Sequence, residues 1–229
     1  MKIHYYSDTF LLNIDTLSVA LTSDCALTQS HAGILYIDSE ENPNLLHLEG
    51  YNKLTNESPS DKFIWLNVPL SKSNKKLLAL YCEDIFEKNK KGIPYDIELE
   101  ETSFDEDLAF IKKDKFGGLT CSTLIMQIFK RHAIEIINRG TWPIREEDKS
   151  KQLLFVSRCT QKIPLLLQKE YTQQKMLAIA KGISRYRPEE VVCAASMLKY
   201  PHPFSTIDKP SKFLLKNVEE YRKKHKECQ

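Results

Sequence analysis

The chain has no CxxC pair, no apolar run long enough to span a bilayer, no excess of either charge, no internal repeat and no low-complexity tract. Each absence removes a class of function. Without a CxxC pair, a zinc knuckle or a thioredoxin-type redox site is not expected. A membrane-spanning helix needs about 18 apolar residues in succession, so no integral membrane segment is expected. Lys and Arg total 33 against 31 Asp and Glu, a formal charge of +2. That balance is not the footprint of a nucleic-acid binder. The lysine clusters (Lys72 to Lys76, Lys88 to Lys91, Lys223 to Lys226) read as solvated helix faces. No secretory leader is expected either, since only Lys2 precedes the first apolar stretch and Asp8, Asn13 and Asp15 interrupt it. The default expectation is a reducing cytoplasm with free thiols. Export by a specialised secretion system that needs no cleaved signal stays open.

What is present is a globular composition. The 229 residues are 41% hydrophobic and 10% aromatic, enough for one domain with a good core or one domain with an appendage. Up to about residue 70 the chain reads as β-rich, with short apolar runs at Phe10–Leu12, Leu17–Leu21, Gly33–Ile37, Leu45–Leu48 and Phe63–Val68. From Ser71 the period becomes helical through Leu77, Leu78, Tyr81, Ile85 and Phe86. Residues 96 to 115 are acidic and loop-like, a long connection of the kind that carries function. The clearest predicted helix runs from Thr120 to about Asn138, and Gly140 ends it. Further helical patterns cover Leu165–Leu167, Met176–Ile183, Pro188–Leu198 and Lys212–Lys224, with Pro201, Pro203 and Pro210 marking a loop between the last two. The reading is an α+β core over residues 1–145, an antiparallel sheet packed against a helix, followed by a helical region over 146–229 packed on that core.

Two segments carry chemistry. One is Ser30-His31-Ala32-Gly33-Ile34, a histidine opening an apolar strand; the other is Gly117-Gly118-Leu119-Thr120-Cys121-Ser122, a cysteine opening an apolar helix. A thiol becomes a nucleophile when a helix N-terminus or an imidazolium favours its thiolate. Thr120 is a plausible N-cap, which puts Cys121 in the first turn, where unpaired N–H groups favour negative charge and can form an oxyanion hole. Cys82 and Cys193 fall within amphipathic helices and read as core, while Cys25, Cys159 and Cys228 lack an activating context. His132 lies on the same helix as Cys121, about 16 Å along it, and cannot be its partner. The run Leu45-Leu46-His47-Leu48-Glu49-Gly50 pairs with the His31 strand as a hairpin. Alternation puts His47 and Glu49 on one face, offering an orienting group to His31. Glu49 is preferred as that group and His47 is second.

The order of these segments resembles a known family. A His-Ala-Gly-Ile strand, a strand ending Leu-Glu-Gly, a Gly-Ile-Pro-Tyr-Asp segment (Gly92 to Asp96) and Cys-Ser-Thr-Leu-Ile together look like the circularly permuted, YiiX-like branch of the NlpC-type, papain-like cysteine hydrolases. The likeness spans about residues 5 to 130. It implies a permuted papain-like fold with Cys121 as nucleophile, His31 as base and Glu49 as the third polar residue. Tyr95, Asp96 and Ser122 are its cleft residues. Asp8 matches an early Gly-Asp-Ile element only weakly, and Thr123 stands where a glutamate is usual. No metal or organic cofactor is implied. The expected activity is hydrolysis of amide bonds through a thioester, with peptide or peptidoglycan peptides as leading substrates and a neutralising partner protein in the producing cell. The alternatives are a lipid or thioester acyl hydrolase or acyltransferase of the same fold, or a non-catalytic interaction module.

Overall fold

A computed structural model describes residues 2–6, 15–24, 29–99, 103–112 and 114–224. The predicted strand at Phe10–Leu12, the weak match at Asp8, and Cys25 and Cys228 lie outside them. Six strands form one antiparallel sheet: β1 (His4–Tyr5), β2 (Leu17–Asp24), β3 (Gln29–Ile37), β4 (Pro43–Gly50), β5 (Lys53–Glu57) and β6 (Ile64–Asn67). Their order across the sheet is β1-β6-β2-β3-β4-β5. Among the described residues six α-helices follow: α1 (Lys72–Lys88), α2 (Cys121–Arg131), α3 (Glu146–Thr160), α4 (Leu165–Lys181), α5 (Pro188–Ala195) and α6 (Phe204–Lys224). The class is α+β.

Strand alternation divides the sheet into two apolar faces. Val19, Leu21, Ile34, Tyr36, Leu46, Leu48 and Leu66 join the main core, together with Leu78 and Ile85 of α1 and Ile125, Ile128 and Phe129 of α2. Val156, Ile179, Val191, Ile207 and Leu214 belong to that same cluster, so residues on both sides of position 145 share one core. Ala20, Leu35, Leu45, Phe63 and Trp65 make a smaller cluster on the other face. The turn between β3 and β4 is fixed by Asp38. Its carboxylate accepts from the backbone N–H of Glu40 at 3.0 Å and of Asn42 at 2.7 Å, and from the Asn44 side chain at 2.6 Å. Such an Asx-type turn sets the register of the strands it joins.

Two predicted boundaries move. The helix expected to reach Asn138 ends at Arg131, and Ala133 takes a positive φ of 55°. Ile136 and Ile137 are buried instead by an extended pairing with the His202 segment. The His202 N–H donates to the Ile136 carbonyl at 3.1 Å, and the Asn138 N–H donates to the His202 carbonyl at 2.8 Å. Their apolar spacing fits either conformation, and tertiary pairing decides between them. Pro210, expected in a loop, lies inside α6. It removes one backbone donor there, a cost set against burial of Ile207, Ser211 and Leu214 on the inner face of the helix.

Candidate active site

Cys121 is the first residue of α2 and is 3% exposed. Thr120 and Thr123 make a reciprocal capping box. The Thr123 N–H donates to Thr120 Oγ1 at 3.1 Å, and the Thr120 N–H donates to Thr123 Oγ1 at 2.7 Å. Thr123 therefore performs the reach-back usually made by Glu or Gln at this helix position. The box leaves the N–H groups of Cys121 and Ser122 as first-turn donors with no intrahelical acceptor.

The approach to this helix is built by close backbone contact. Leu119 N–H donates to the Pro94 carbonyl at 2.9 Å, and Asp96 N–H donates to the Leu119 carbonyl at 3.3 Å. A Cβ at position 118 would lie 2.3 Å from the Pro94 oxygen, so only glycine fits there. The segment packed against Gly118 brings in Tyr95, whose hydroxyl donates to the Cys121 sulfur at 3.9 Å. Burial holds that hydroxyl protonated, well above the ordinary phenol range, and the neighbouring Cys121 adds to the effect. The Tyr95 ring stacks on Phe155 at 5.5 Å between centroids.

His31, on β3, is near enough to the sulfur for the two charges to act on each other. Burial alone would push the Cys121 thiol up. The His31 charge, a hydrogen bond to its ring, the Ala32 backbone N–H and Tyr95 more than offset this and lower it to about 7. Burial would likewise depress His31, but the Cys121 charge and hydrogen bond raise it above its ordinary value. The two shifts have one source, the attraction of a thiolate and an imidazolium for each other.

Behind His31 runs a relay across three strands. His31 Nε2 lies 2.8 Å from His47 Nδ1, and His47 Nε2 lies 3.2 Å from Glu57 Oε1. In the β3–β4 ladder Gly33 faces His47, and in the β4–β5 ladder Leu45 faces Glu57. His31–His47 and His47–Glu57 are therefore diagonal neighbours on one face of the sheet. Gly33 leaves the space: a Cβ there would lie 2.9 Å from the Leu46 oxygen and 3.0 Å from the His47 Cβ. Burial, and next the His31 charge, lower the pKa of His47. A neutral His47 protonated at Nε2 can accept from the His31 imidazolium and donate to Glu57, which assigns its tautomer from the network.

The group within hydrogen-bond distance of His31 is thus His47 and not the preferred Glu49, whose charge still acts on both imidazoles. Glu49 shares the face that alternation assigns it, but the β4–β5 register slips between Leu48 and Gly50. An irregularity of this kind re-aims the residue it carries. The Glu49 carboxylate forms an ion pair with Lys53 and accepts from the Thr55 hydroxyl at 3.4 Å. Burial would raise this carboxyl, but the Lys53 hydrogen bond holds it below the usual range. Ser122 is buried and lines the cleft next to Cys121. Asp96 turns away from the sulfur into a buried pair, with Lys175 Nζ at 2.7 Å and Glu98 completing the contact at 2.8 Å. Burial lifts the Asp96 carboxyl to about 7 against the pull of Lys175.

Helix α3 and the connection between α4 and α5 form the remaining walls. Gln152, Phe155, Arg185 and Tyr186 line the cleft that holds Cys121. A second cleft opens on the His31 side and is lined by Tyr51, Arg158, Cys159 and Lys162; Ser30, Tyr95 and Phe155 border both. The sequence reading assigned no site role to Glu57, Phe155 or Arg185. The run Lys53-Leu54-Thr55-Asn56-Glu57 has one apolar residue and gave no strand signal. Helix α3 starts without a side-chain cap, although Glu146, Glu147 and Asp148 in its first turn are a usable start signal.

No family model, no curated protein and no solved structure matches this chain. Among the described residues, no group of three or more His, Cys, Asp or Glu side chains could hold a metal ion. Among the same residues, no helix is long and apolar enough to cross a membrane.

Proposed function

We propose that the chain is a cysteine hydrolase that cleaves amide bonds through a thioester. The observation that carries this reading is a buried sulfur at a capped helix start, paired with an imidazole that is itself backed by His47 and Glu57. In the first step the Cys121 thiolate attacks the carbonyl carbon, and the resulting oxyanion is met by the N–H groups of Cys121 and Ser122. As the C–N bond breaks, the His31 imidazolium gives its proton to the departing amine. His31, now neutral, takes a proton from water. The hydroxide formed displaces Cys121 from the thioester and releases a carboxylate. His47 accepts a hydrogen bond from the imidazolium and Glu57 holds the His47 tautomer, the roles a third and a fourth group play in triad chemistry.

The resemblance to permuted NlpC-type hydrolases supports peptides, and peptidoglycan peptides first, as substrates. A wall-degrading role calls for delivery by a specialised secretion system and a neutralising partner in the producing cell. A second reading, hydrolysis or transfer of lipid or thioester acyl groups, draws support from the apolar side of the Cys121 cleft, where Ile97, Phe155, Tyr186 and Pro188 lie. Wild type and Cys121→Ala compared on wall fragments and on phospholipids separate the two readings. Loss of turnover on one substrate class assigns it, and equal turnover by both proteins rejects the mechanism.

A further inference from the structure

We infer that the α3–α4 hairpin tip docks on an anionic lipid surface. Leu165 and Leu166, the first two residues of α4, are 82% and 94% exposed. The Thr160 hydroxyl at the end of α3 meets the Thr172 hydroxyl at 3.2 Å. The chain between them, including the first turns of α4, therefore projects beyond α3. Leu153, Leu154, Met176 and Leu177 are further exposed apolar residues on the same two helices. Single exposed leucines need no explanation, but two adjacent ones that are both more than four-fifths exposed mark an interaction site.

Charge selects the occupant. Arg158, Lys162 and Lys169 are exposed around the tip. The acid on the same turn, Glu170, forms an ion pair with Lys115 at 2.6 Å, and Glu49 across the cleft is bound to Lys53. The exposed charges of the tip are thus mainly basic, set around an exposed pair of aliphatic side chains. Protein interfaces favour aromatic anchors seated in pockets. Leucines ringed by Lys and Arg suit the boundary between acyl chains and anionic headgroups. The position also has a use: Arg158 and Lys162 line the cleft that opens on His31. Docking at the tip turns the mouth of that cleft toward the lipid surface. This contact does not depend on Cys121 or on which bond is cut.

Co-sedimentation with vesicles tests the contact apart from the chemistry. The full chain should bind vesicles of phosphatidylglycerol and phosphatidylcholine at about 3:7 at least about tenfold more tightly than pure phosphatidylcholine, and lose that preference as salt rises. L165S/L166S should weaken binding to the mixed vesicles about tenfold or more, with an unchanged circular dichroism spectrum. K162E/K169E should remove the preference for the anionic lipid, and Cys121→Ala should bind like wild type. No binding to the mixed vesicles at low salt overturns the inference, as does equal binding by L165S/L166S and wild type. Concentration-dependent dimerisation that L165S/L166S abolishes, with no vesicle binding, assigns the tip to a second copy of the chain and also overturns it.

Discussion

His31 and His47 meet diagonally across neighbouring strands, Nε2 to Nδ1 at 2.8 Å. This contact gives one imidazole a donor role and the other an acceptor role, and links the Cys121 sulfur to the Glu57 carboxylate on the edge strand β5.

The first prediction concerns the thiol. Cys121 is lowered to about 7, while burial pushes Cys159 up to about 11 and Cys193 up to about 12. An unperturbed cysteine titrates near about 8.5. Iodoacetamide should therefore modify Cys121 first, with a rate that climbs as pH rises through about 7 and the thiolate forms. Intact mass and peptide mapping check the site. Slow modification of every thiol at pH 7.5 would reject an activated sulfur.

The relay predicts a graded loss. His47→Phe should lower kcat/KM by about 10²-fold, in the range of acid–base contributions, and Glu57→Gln by less. Without an acceptor behind it, the His31 imidazolium is less stable, so in His47→Phe the alkylation inflection of Cys121 should move to higher pH. A purely structural His47 would leave that inflection in place.

Gly118→Ala forces a Cβ to within 2.3 Å of the Pro94 oxygen. Overpacking of this sort costs about 1–3 kcal/mol. The melting temperature should fall, and activity should fall further because the same backbone contact places Tyr95 against the sulfur. A variant with wild-type melting and wild-type turnover would show that the contact is not required.

Lys175 is fully buried, with Asp96 at 2.7 Å. Removing one member of a buried pair costs about 3–5 kcal/mol, whereas removing both costs far less. Lys175→Met should therefore unfold at markedly lower denaturant than wild type, and Asp96→Asn/Lys175→Met should recover part of the difference. Equal loss in the single and double variants would argue against a charge effect.

The parts of the site legible in the sequence are those signalled by local chemistry. Glycine and threonine before an apolar helix point to Cys121, and small residues after a histidine at a strand mouth point to His31. The choice between His47 and Glu49 needed the β4–β5 irregularity, which lies in the pairing of two strands and not in either one. Glu57 was hidden because an edge strand with one apolar residue has no periodicity to read. Ile136 and Ile137 illustrate the same limit: helical spacing was present, but pairing with the His202 segment claimed them. Phe155 reaches the cleft through helix packing and Arg185 from the connection between α4 and α5, and spacing along the chain encodes neither.

The carboxylate of Asp38, far along β3 from the sulfur, carries a responsibility its location does not advertise. By holding one hairpin to a single length, it keeps odd-numbered side chains of neighbouring strands on a common side. One residue inserted in that bend, with β3 held in place, would carry His47 through the sheet and put a leucine in its stead. Such a chain would keep its fold and lose the His31–His47 contact, undone by a miscount at the opposite end of a strand.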